Sequence, residues 1–156
     1  MTTKLKAGDA APNFSGKTTD GSTISLKDYK GKKLVVYFYP MDDTPGCTKQ
    51  ACSLRDFNKD IASKGAEILG VSTQDEASHR KFAEKYRLNF PLLADTDQSV
   101  GKAFGVIGGG GLLAAAKSFA GLADRVTFVI DEKGKIAHVL DKPDVEHHAE
   151  EVLKLL

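Results

Sequence analysis

Two buried-strand patterns separated by one amphipathic helix constrain the fold of this chain most strongly. Residues 34–39, Leu-Val-Val-Tyr-Phe-Tyr, form an unbroken apolar run rich in β-branched and aromatic side chains, which is typical of a strand buried on both faces. From Pro45 to Lys64, apolar residues recur at helical spacing, and Gly65 is placed to close that helix. A second apolar run follows at 66–72. A strand, a helix and a strand in this order predict two parallel strands joined by a crossover helix.

The remaining segments add strands and helices to this unit. In chain order they are a helix at 76–86, a strand at 92–94, a short helix near 100–104, an antiparallel hairpin formed by 126–130 and 136–140, and a last helix at 145–156. The predicted fold class is therefore α/β, with a mixed central β-sheet flanked by helices.

Length and composition limit the possible classes of protein. The 156 residues match the size of one domain, so we expect residues 1–156 to form a single domain. A content of 41% hydrophobic and 28% charged residues is that of a soluble globular protein and excludes a disordered chain, a fibre or a membrane span. The net charge of +1 gives no reason to expect nucleic acid or a membrane as a partner. The first nine residues lack the apolar run of a secretory signal, so the cytoplasm is the expected compartment.

The start of the helix at 45–64 carries the most informative residues. Thr44 suits the N-cap, Pro45 the first helical position, and Cys47 falls third, where backbone N–H groups lack partners. Cysteines at helix N-termini have a lowered pKa because the positive helix pole favours the thiolate. We therefore expect Cys47 to be largely ionised at neutral pH and to act as a nucleophile. An inert buried cysteine, the alternative, is more typical of the apolar interior of an element.

The second cysteine, Cys52, lies in the same predicted helix, five residues after Cys47. Ideal helix geometry separates their Cα atoms by about 8.6 Å, whereas a disulfide needs about 7 Å or less. A disulfide between them therefore requires the first turns of the helix to unwind. The residues alone leave Cys52 equally open to a role as a core cysteine. The C-x4-C spacing also differs from the C-x-x-C of dithiol reductases.

A metal site is not expected from the histidines. His147 and His148 are adjacent, and adjacent residues of a helix point about 100° apart, so they cannot easily share one zinc ion with the cysteines. We interpret both as part of an exposed face of the last helix. His79 and His138 are isolated in the sequence, and we assign them no role.

The segment 38–52, Phe-Tyr-Pro-Met-Asp-Asp-Thr-Pro-Gly-Cys-Thr-Lys-Gln-Ala-Cys, resembles the active-site signature of the peroxiredoxins. Within that family it is most similar to the peroxiredoxin Q branch, also called bacterioferritin comigratory protein. Pro40, Thr44 and Cys47 match the pattern P-x-x-x-T-x-x-C, and the similarity extends over residues 8–136. The resemblance implies a thioredoxin-like fold and a thiol-dependent peroxidase that uses no metal, haem, flavin or other cofactor.

The resemblance also implies a role for each matching residue. Cys47 would be the peroxidatic cysteine, which attacks the peroxide O–O bond and becomes a sulfenic acid. Cys52 would be the resolving cysteine, which forms an intramolecular disulfide that thioredoxin or a similar dithiol reduces. Thr44 and Arg125 would bind the peroxide and the thiolate, and Pro40 would shield the thiolate from water. The implied partners are thus a hydroperoxide substrate and a dithiol reductant, and we expect a monomer.

The choice of Arg125 comes from the resemblance, because the residues alone do not distinguish it from the other arginines. These are Arg55, Arg80 and Arg87. Two other functions stay open at this point. One is a general thiol–disulfide oxidoreductase, and the other is a redox sensor or holdase whose helix unfolds on oxidation of Cys47.

Residues 108–121 depart from the family, which usually has a more polar loop before this arginine. The segment is glycine-rich and then alanine-rich, and it partly imitates two nucleotide-binding motifs. The P-loop imitation has Ala116 where glycine is required, and the dinucleotide pattern lies too late in the chain. We therefore predict a flexible loop that enters a short helix, with no nucleotide bound.

Overall fold

A computed structural model describes residues 3–107 and 121–156 of the chain. The strands of this part are β1 (Ser15–Thr18), β2 (Thr23–Ser25), β3 (Lys33–Phe38), β4 (Ala66–Ser72), β5 (Leu92–Ala94), β6 (Val126–Ile130) and β7 (Ile136–Leu140). The helices are α1 (Pro45–Asp56), α2 (Asn58–Ser63), α3 (Glu76–Tyr86), α4 (Ser99–Ala103) and α5 (His148–Leu153), with a 3-10 turn at Leu26–Tyr29. None of these helices is long and apolar enough to cross a membrane. The predicted loop and helix at 108–120 lie outside the described residues.

The strands form one mixed sheet in the order β2-β1-β5-β4-β3-β6-β7. The central strands β3, β4 and β5 are parallel, as the strand–helix–strand pattern predicts, and the other neighbours pair antiparallel. The hairpin predicted at 126–130 and 136–140 is confirmed as β6 and β7. The expected mixed sheet with flanking helices is therefore present.

Strand β3 is buried from Leu34 to Phe38 because apolar layers cover both faces of the sheet. Its side chains alternate between two clusters, as the pleat of a strand requires. Val36 and Phe38 pack in one cluster with Phe104 and Phe128. Val35 and Tyr37 pack in the other, which also contains Cys47. The sheet face that carries Tyr37 therefore also carries the cysteine helix.

The prediction of a single helix from Pro45 to Lys64 is wrong in one respect, because the helix is broken at Phe57. Helix α1 ends at Asp56, and α2 begins at Asn58. The carbonyl of Arg55 accepts a hydrogen bond from Nδ2 of Asn89, and the side chain of Asn58 donates to the carbonyl of Asn89. The first of these long-range bonds occupies a backbone acceptor of the helix, and helical spacing in the sequence does not reveal either bond.

The last helix is shorter than the predicted 145–156. The backbone N–H of Asp144 donates to Glu151, and the side chain of Asp144 accepts from the N–H of Glu146. These bonds stabilise a turn, so α5 begins only at His148. The strands β1 and β2 are absent from the sequence prediction because they are short and only partly buried.

Gly70 in β4 gives a test of this packing. A methyl group on Gly70 would lie 2.6 Å from Cδ2 of Leu92 and 3.0 Å from the ring of Tyr37. We expect Gly70→Ala to lower the free energy of unfolding by about 1–3 kcal/mol, measured by urea denaturation, because the core must shift to accept the group. The control is Glu67→Ala at an exposed position of the same strand, which we expect to change stability by less than about 1 kcal/mol. Equal effects of the two substitutions would contradict this packing.

Candidate active site

The segment from Tyr39 to Thr44 leads from the end of β3 into α1, at the edge of the sheet where open α/β folds bind ligands. Thr44 has an extended backbone, with φ −88° and ψ 156°, and Pro45 is the first helical residue. Cys47 is therefore the third residue of α1, as predicted, and it is only 1% exposed. The N-terminal end of α1 and the sulfur thus lie together, which favours negative charge on the sulfur.

The hydroxyl of Thr44 does not cap the helix as predicted. It donates instead to the carbonyl oxygen of Met41, at 3.1 Å, and makes no side-chain bond to a helix N–H. The N-cap position of Thr44 is nevertheless confirmed, since its carbonyl accepts the first helical bond, from the N–H of Thr48 at 2.8 Å. The turn from Met41 to Thr44 is therefore closed by the hydroxyl.

Arg125 is the arginine that the fold brings to the thiol. Its Nη2 lies 3.2 Å from Sγ of Cys47, and its Nη1 donates to Oε1 of Gln50 at 2.6 Å. Gly46 leaves room for this contact, because a Cβ at that position would lie 3.2 Å from Nη2 of Arg125. The guanidinium is thus held against the sulfur by the first two turns of α1.

The other arginines described as candidates have different neighbours. Arg55 donates to the carbonyl of Tyr86, and Arg80 lies 3.8 Å from Glu76 on α3. Arg125 is thus the arginine whose guanidinium lies against the sulfur, and its role in the reaction stays a prediction.

Sequence reasoning missed Gln50. It is fully buried, and among the described residues its Nε2 has no hydrogen-bond partner while its Oε1 binds Arg125. Its position three residues after Cys47 places both on one face of α1, and that spacing was the available signal. Gln50 orients the guanidinium that touches the thiol.

Pro40 and Cys52 occupy less buried positions around the same helix. Pro40 is half-buried, and its carbonyl accepts from the side chains of Ser72 and Gln74 at 3.3 and 3.2 Å. Cys52 is also half-buried, and both cysteines are free thiols on a continuous helix. Disulfide formation between them therefore still requires α1 to unwind.

Two histidines that seemed uninformative in the sequence are fully buried in the structure. The interpretation of His148 as an exposed residue is wrong, whereas His147 is exposed. Nε2 of His148 lies 2.9 Å from the hydroxyl of Thr127, and its Nδ1 lies 3.2 Å from Glu151. His79, to which the sequence assigned no role, lies against Asp42. A single sequence does not reveal these positions, because burial of a histidine depends on tertiary packing.

Burial lowers the pKa of His148. The nearby carboxylate of Glu151 acts in the opposite direction, and the positive charge of Arg125 adds to the lowering. His148 is therefore neutral at pH 7. Within residues 3–107 and 121–156, no group of three or more histidine, cysteine or carboxylate side chains is arranged to hold a metal ion.

Comparison with known proteins assigns the family. Residues 7–139 match the AhpC/TSA family. The chain is 45% identical to a chloroplastic peroxiredoxin Q of Populus jackii, over 98% of this chain and 68% of that protein. It is 44% identical to peroxiredoxin Bcp of Escherichia coli K12, over 97% of this chain and 96% of that protein. The chain belongs to the AhpC/TSA family, in its peroxiredoxin Q/Bcp branch.

Solved structures of this branch share the fold. Peroxidoxin BcpB of Mycobacterium tuberculosis is 35% identical, with a TM-score of 0.84 over 97% of this chain and 96% of that one. The bacterioferritin comigratory protein of Xanthomonas campestris, studied for its alkyl peroxide reduction, is 30% identical, with a TM-score of 0.82 over 97% and 95% of the two chains. The expected thioredoxin-like fold is confirmed. As a peroxiredoxin, the chain is an enzyme, a thiol-dependent peroxidase, and its family uses a peroxide substrate with a thioredoxin-type reductant.

The lowered pKa of His148 predicts how stability depends on pH. The unfolded chain binds a proton at His148 near pH 6.5, whereas the folded chain binds it only at lower pH. Acidification below about pH 6.5 therefore favours unfolding, with a slope from this group of at most about 1.4 kcal/mol per pH unit. We expect His148→Gln to remove this part of the slope in urea denaturation between pH 7 and 5. His138→Gln, at an exposed position, is the control. Parallel stability curves for wild type and His148→Gln would contradict the prediction.

Proposed function

We propose that Cys47 is the peroxidatic residue of this peroxidase, with Arg125, Thr44 and Pro40 as its active-site partners. The contact of 3.2 Å between Sγ of Cys47 and Nη2 of Arg125 at the start of α1 carries the proposal. A guanidinium and a helix N-terminus both favour the thiolate, which is the nucleophilic form of cysteine. Both also remain in place to stabilise charge that develops on the peroxide.

In the first step, the thiolate of Cys47 attacks the terminal oxygen of a hydroperoxide. The O–O bond breaks, the sulfur retains that oxygen as a sulfenic acid, and the other oxygen leaves with the electron pair and takes up a proton as water or an alcohol. Arg125 stabilises the charge on the leaving oxygen, and the hydroxyl of Thr44 adds to this by turning its proton from the carbonyl of Met41 to that oxygen. Pro40 limits access of water to the sulfur. The sulfur is oxidised by two electrons, and the peroxide is reduced by two.

In the second step, we propose that Cys52 resolves the sulfenic acid. The thiol of Cys52 condenses with it, a disulfide forms and one water molecule leaves. Outside its buried face, α1 has two contacts with the C-terminal segment. Lys49 pairs with Glu146 at 3.1 Å, and the hydroxyl of Ser53 accepts from the N–H of Ala149. The exposed pair contributes little, and we propose that the first turns of α1 unwind locally while Leu54 stays in the core. A dithiol such as thioredoxin then reduces the disulfide.

Hydrogen peroxide and organic hydroperoxides are the proposed substrates. Met41, whose carbonyl binds Thr44, is 42% exposed, so an apolar side chain is available on the segment next to the site. Alkyl peroxide reduction by the Xanthomonas campestris relative supports organic substrates.

Location and assembly remain predictions. The Populus jackii relative is chloroplastic by name, and the Escherichia coli relative carries no compartment in its name. We propose a cytoplasmic location, since two cysteines are too few for the disulfide scaffold typical of small secreted proteins. We also propose that the chain is a monomer in solution.

Cys47→Ser tests the proposed function. Wild-type protein with thioredoxin, its reductase and hydrogen peroxide should consume NADPH continuously, and Cys47→Ser should fall to the rate without added protein, because serine cannot replace the thiolate. Consumption limited to one equivalent of NADPH per wild-type chain would instead support a redox sensor. Activity in insulin reduction would support a general oxidoreductase.

Cys52→Ser separates the two cysteines. We expect this variant to react once with peroxide at nearly the wild-type rate and to lose thioredoxin-dependent turnover, because no intramolecular disulfide can form. Excess dithiothreitol is the control, since an external thiol should resolve the sulfenic acid and restore turnover. Mass spectrometry should show sulfinic acid on Cys47 at high peroxide without thiol. Turnover of Cys52→Ser with thioredoxin at the wild-type rate would contradict the resolving role.

A further inference from the structure

A second cluster of buried charged groups lies beside the segment that carries Pro40 and Thr44, and the proposed reaction does not use it. Its centre is Asp42 and His79. Nδ1 of His79 lies 2.6 Å from Oδ2 of Asp42, and their side chains are 0% and 5% exposed, respectively. Removing two charged side chains from water costs free energy, so a buried pair of this kind suggests a function that offsets the cost.

The hydrogen-bond partners of His79 determine its charge. Nδ1 faces the carboxylate of Asp42, and Nε2 lies 3.0 Å from the carbonyl oxygen of Leu93. Both partners can only accept, so each ring nitrogen must donate a proton. An imidazolium satisfies both of these contacts, whereas a neutral ring leaves one of its nitrogens facing an acceptor without a proton to donate. His148 differs, because the hydroxyl of Thr127 can donate to its Nε2 and a neutral ring satisfies both of its contacts.

Asp42 is the matching anion. The hydroxyl of Tyr39 donates to its Oδ1 at 2.6 Å, and the hydroxyl of Ser78 donates to its Oδ2 at 2.7 Å. Burial opposes the charge, but the hydrogen bond and the charge of His79, together with these two hydroxyls, hold the pKa of Asp42 below its usual value. The polar contacts around the two side chains are thus those of a carboxylate paired with an imidazolium.

This pair fastens residues 39–44, which we call the thiol loop, to α3. The loop is also tied to the end of β4, because the side chain of Gln74 accepts from the N–H of Asp42 and donates to the carbonyl of Pro40. The thiol loop carries two proposed active-site residues, so the position of Asp42 helps to set their positions. His79 reaches the site only through Asp42.

Asp42 and Cys47 share two electrostatic neighbours, Tyr37 and Tyr39. The hydroxyl of Tyr39 binds Asp42, and its side chain belongs to the same apolar cluster as Cys47. Burial, followed by the neighbouring Tyr37 and the carboxylate of Asp42, raises the pKa of Tyr39 well above its usual value. An uncompensated carboxylate at Asp42 would therefore oppose a thiolate at Cys47.

We propose that His79 is a positioning residue for the reaction at Cys47, an inference that rests on the proposed function. As a buried imidazolium it cancels the charge of Asp42. The carboxylate can then fasten the thiol loop without opposing ionisation of the thiol.

Other ionisable groups surround the pair and the thiol. Near Cys47 they are Arg125, directly before β6, Tyr37 of β3 and Cys52 of α1. Tyr39 lies near Asp42, and His148 lies near Arg125. Asp43, Lys85 and Tyr86 form a hydrogen-bonded set on the outer side of the thiol loop. These groups are identical in the variants compared below, so differences between the variants report on Asp42 and His79.

The test compares His79→Asn with the double variant His79→Asn/Asp42→Asn. The asparagine amide at position 79 can still donate to Asp42 but carries no charge. We expect the midpoint of the pH dependence of the rate constant with hydrogen peroxide to rise by on the order of one pH unit in His79→Asn. In the double variant both charges are gone, and the midpoint should return to within a few tenths of a unit of wild type. An unmoved midpoint in His79→Asn, or a double variant shifted as far as the single one, would overturn the proposal.

A spectroscopic measurement on wild-type protein needs no variant to fold. In a nitrogen–proton correlation spectrum of the histidine rings of reduced protein at pH 7, both ring nitrogens of His79 should be protonated. His148 should show one protonated and one bare nitrogen. A bare nitrogen on His79 at this pH overturns the inference.

The two proposals fail in different experiments. If Cys47→Ser abolishes turnover while the midpoint of His79→Asn does not move, the peroxidase assignment stands and the role of His79 falls. If Cys47→Ser keeps its turnover, the proposed function falls, whatever the ring spectrum of His79 shows.

Discussion

The antiparallel pairing of β3 with β6 is the constraint on which the site depends. In this register Phe38, the last residue of β3, lies opposite Val126, the first residue of β6. The residue before Val126 is therefore brought alongside the segment that follows β3, and Arg125 reaches the sulfur of Cys47. A register shift of one residue would turn Arg125 to the opposite face of the sheet. The contact between guanidinium and thiol is thus a consequence of how two core strands are aligned.

The parallel pairing of β3 with β4 supplies the other half of the site. Parallel strands end at the same edge of a sheet, so the residues after β4 lie next to those after β3. Ser72 and Gln74 bind the backbone of the thiol loop from this edge, and α3 adds His79. The loop is therefore held by several hydrogen bonds to distant residues and not only by the short turn within it.

The site combines a firmly held loop with a helix whose two sides are held differently. The inner side of α1 is buried in the core, whereas its other side is tied to the C-terminal segment by an exposed pair of Lys49 with Glu146 and by a bond from Ala149 to Ser53. The first turn of a helix opens at lower cost than the core strands beneath it. This difference suits a reaction in which Cys47 must leave its position to reach Cys52 while the sheet edge stays in place.

Local patterns in the sequence determined the elements around the site. The runs at 66–72 and 76–86 predict β4 and α3 with their observed bounds, and Thr44 and Pro45 predict where α1 begins. Periodicity and helix-end preferences act over a few residues, so one sequence is enough to read them. The resemblance of the segment 38–52 to the peroxiredoxin signature supplied the chemistry at Cys47.

Tertiary structure alone decided which distant groups meet. The contact of Arg125 with Cys47 joins residues more than thirty positions apart, and so does the buried pair of Asp42 with His79. The break of the cysteine helix at Phe57 results from a contact of the same kind. Hydrogen bonds of this kind leave no periodic trace along the chain, because any polar residue type that can reach satisfies them. The same reason explains why His148 looked exposed in the sequence and is buried in the fold. Its burial depends on the packing of α5 against the sheet, where Nε2 of His148 lies 2.9 Å from the hydroxyl of Thr127 in β6.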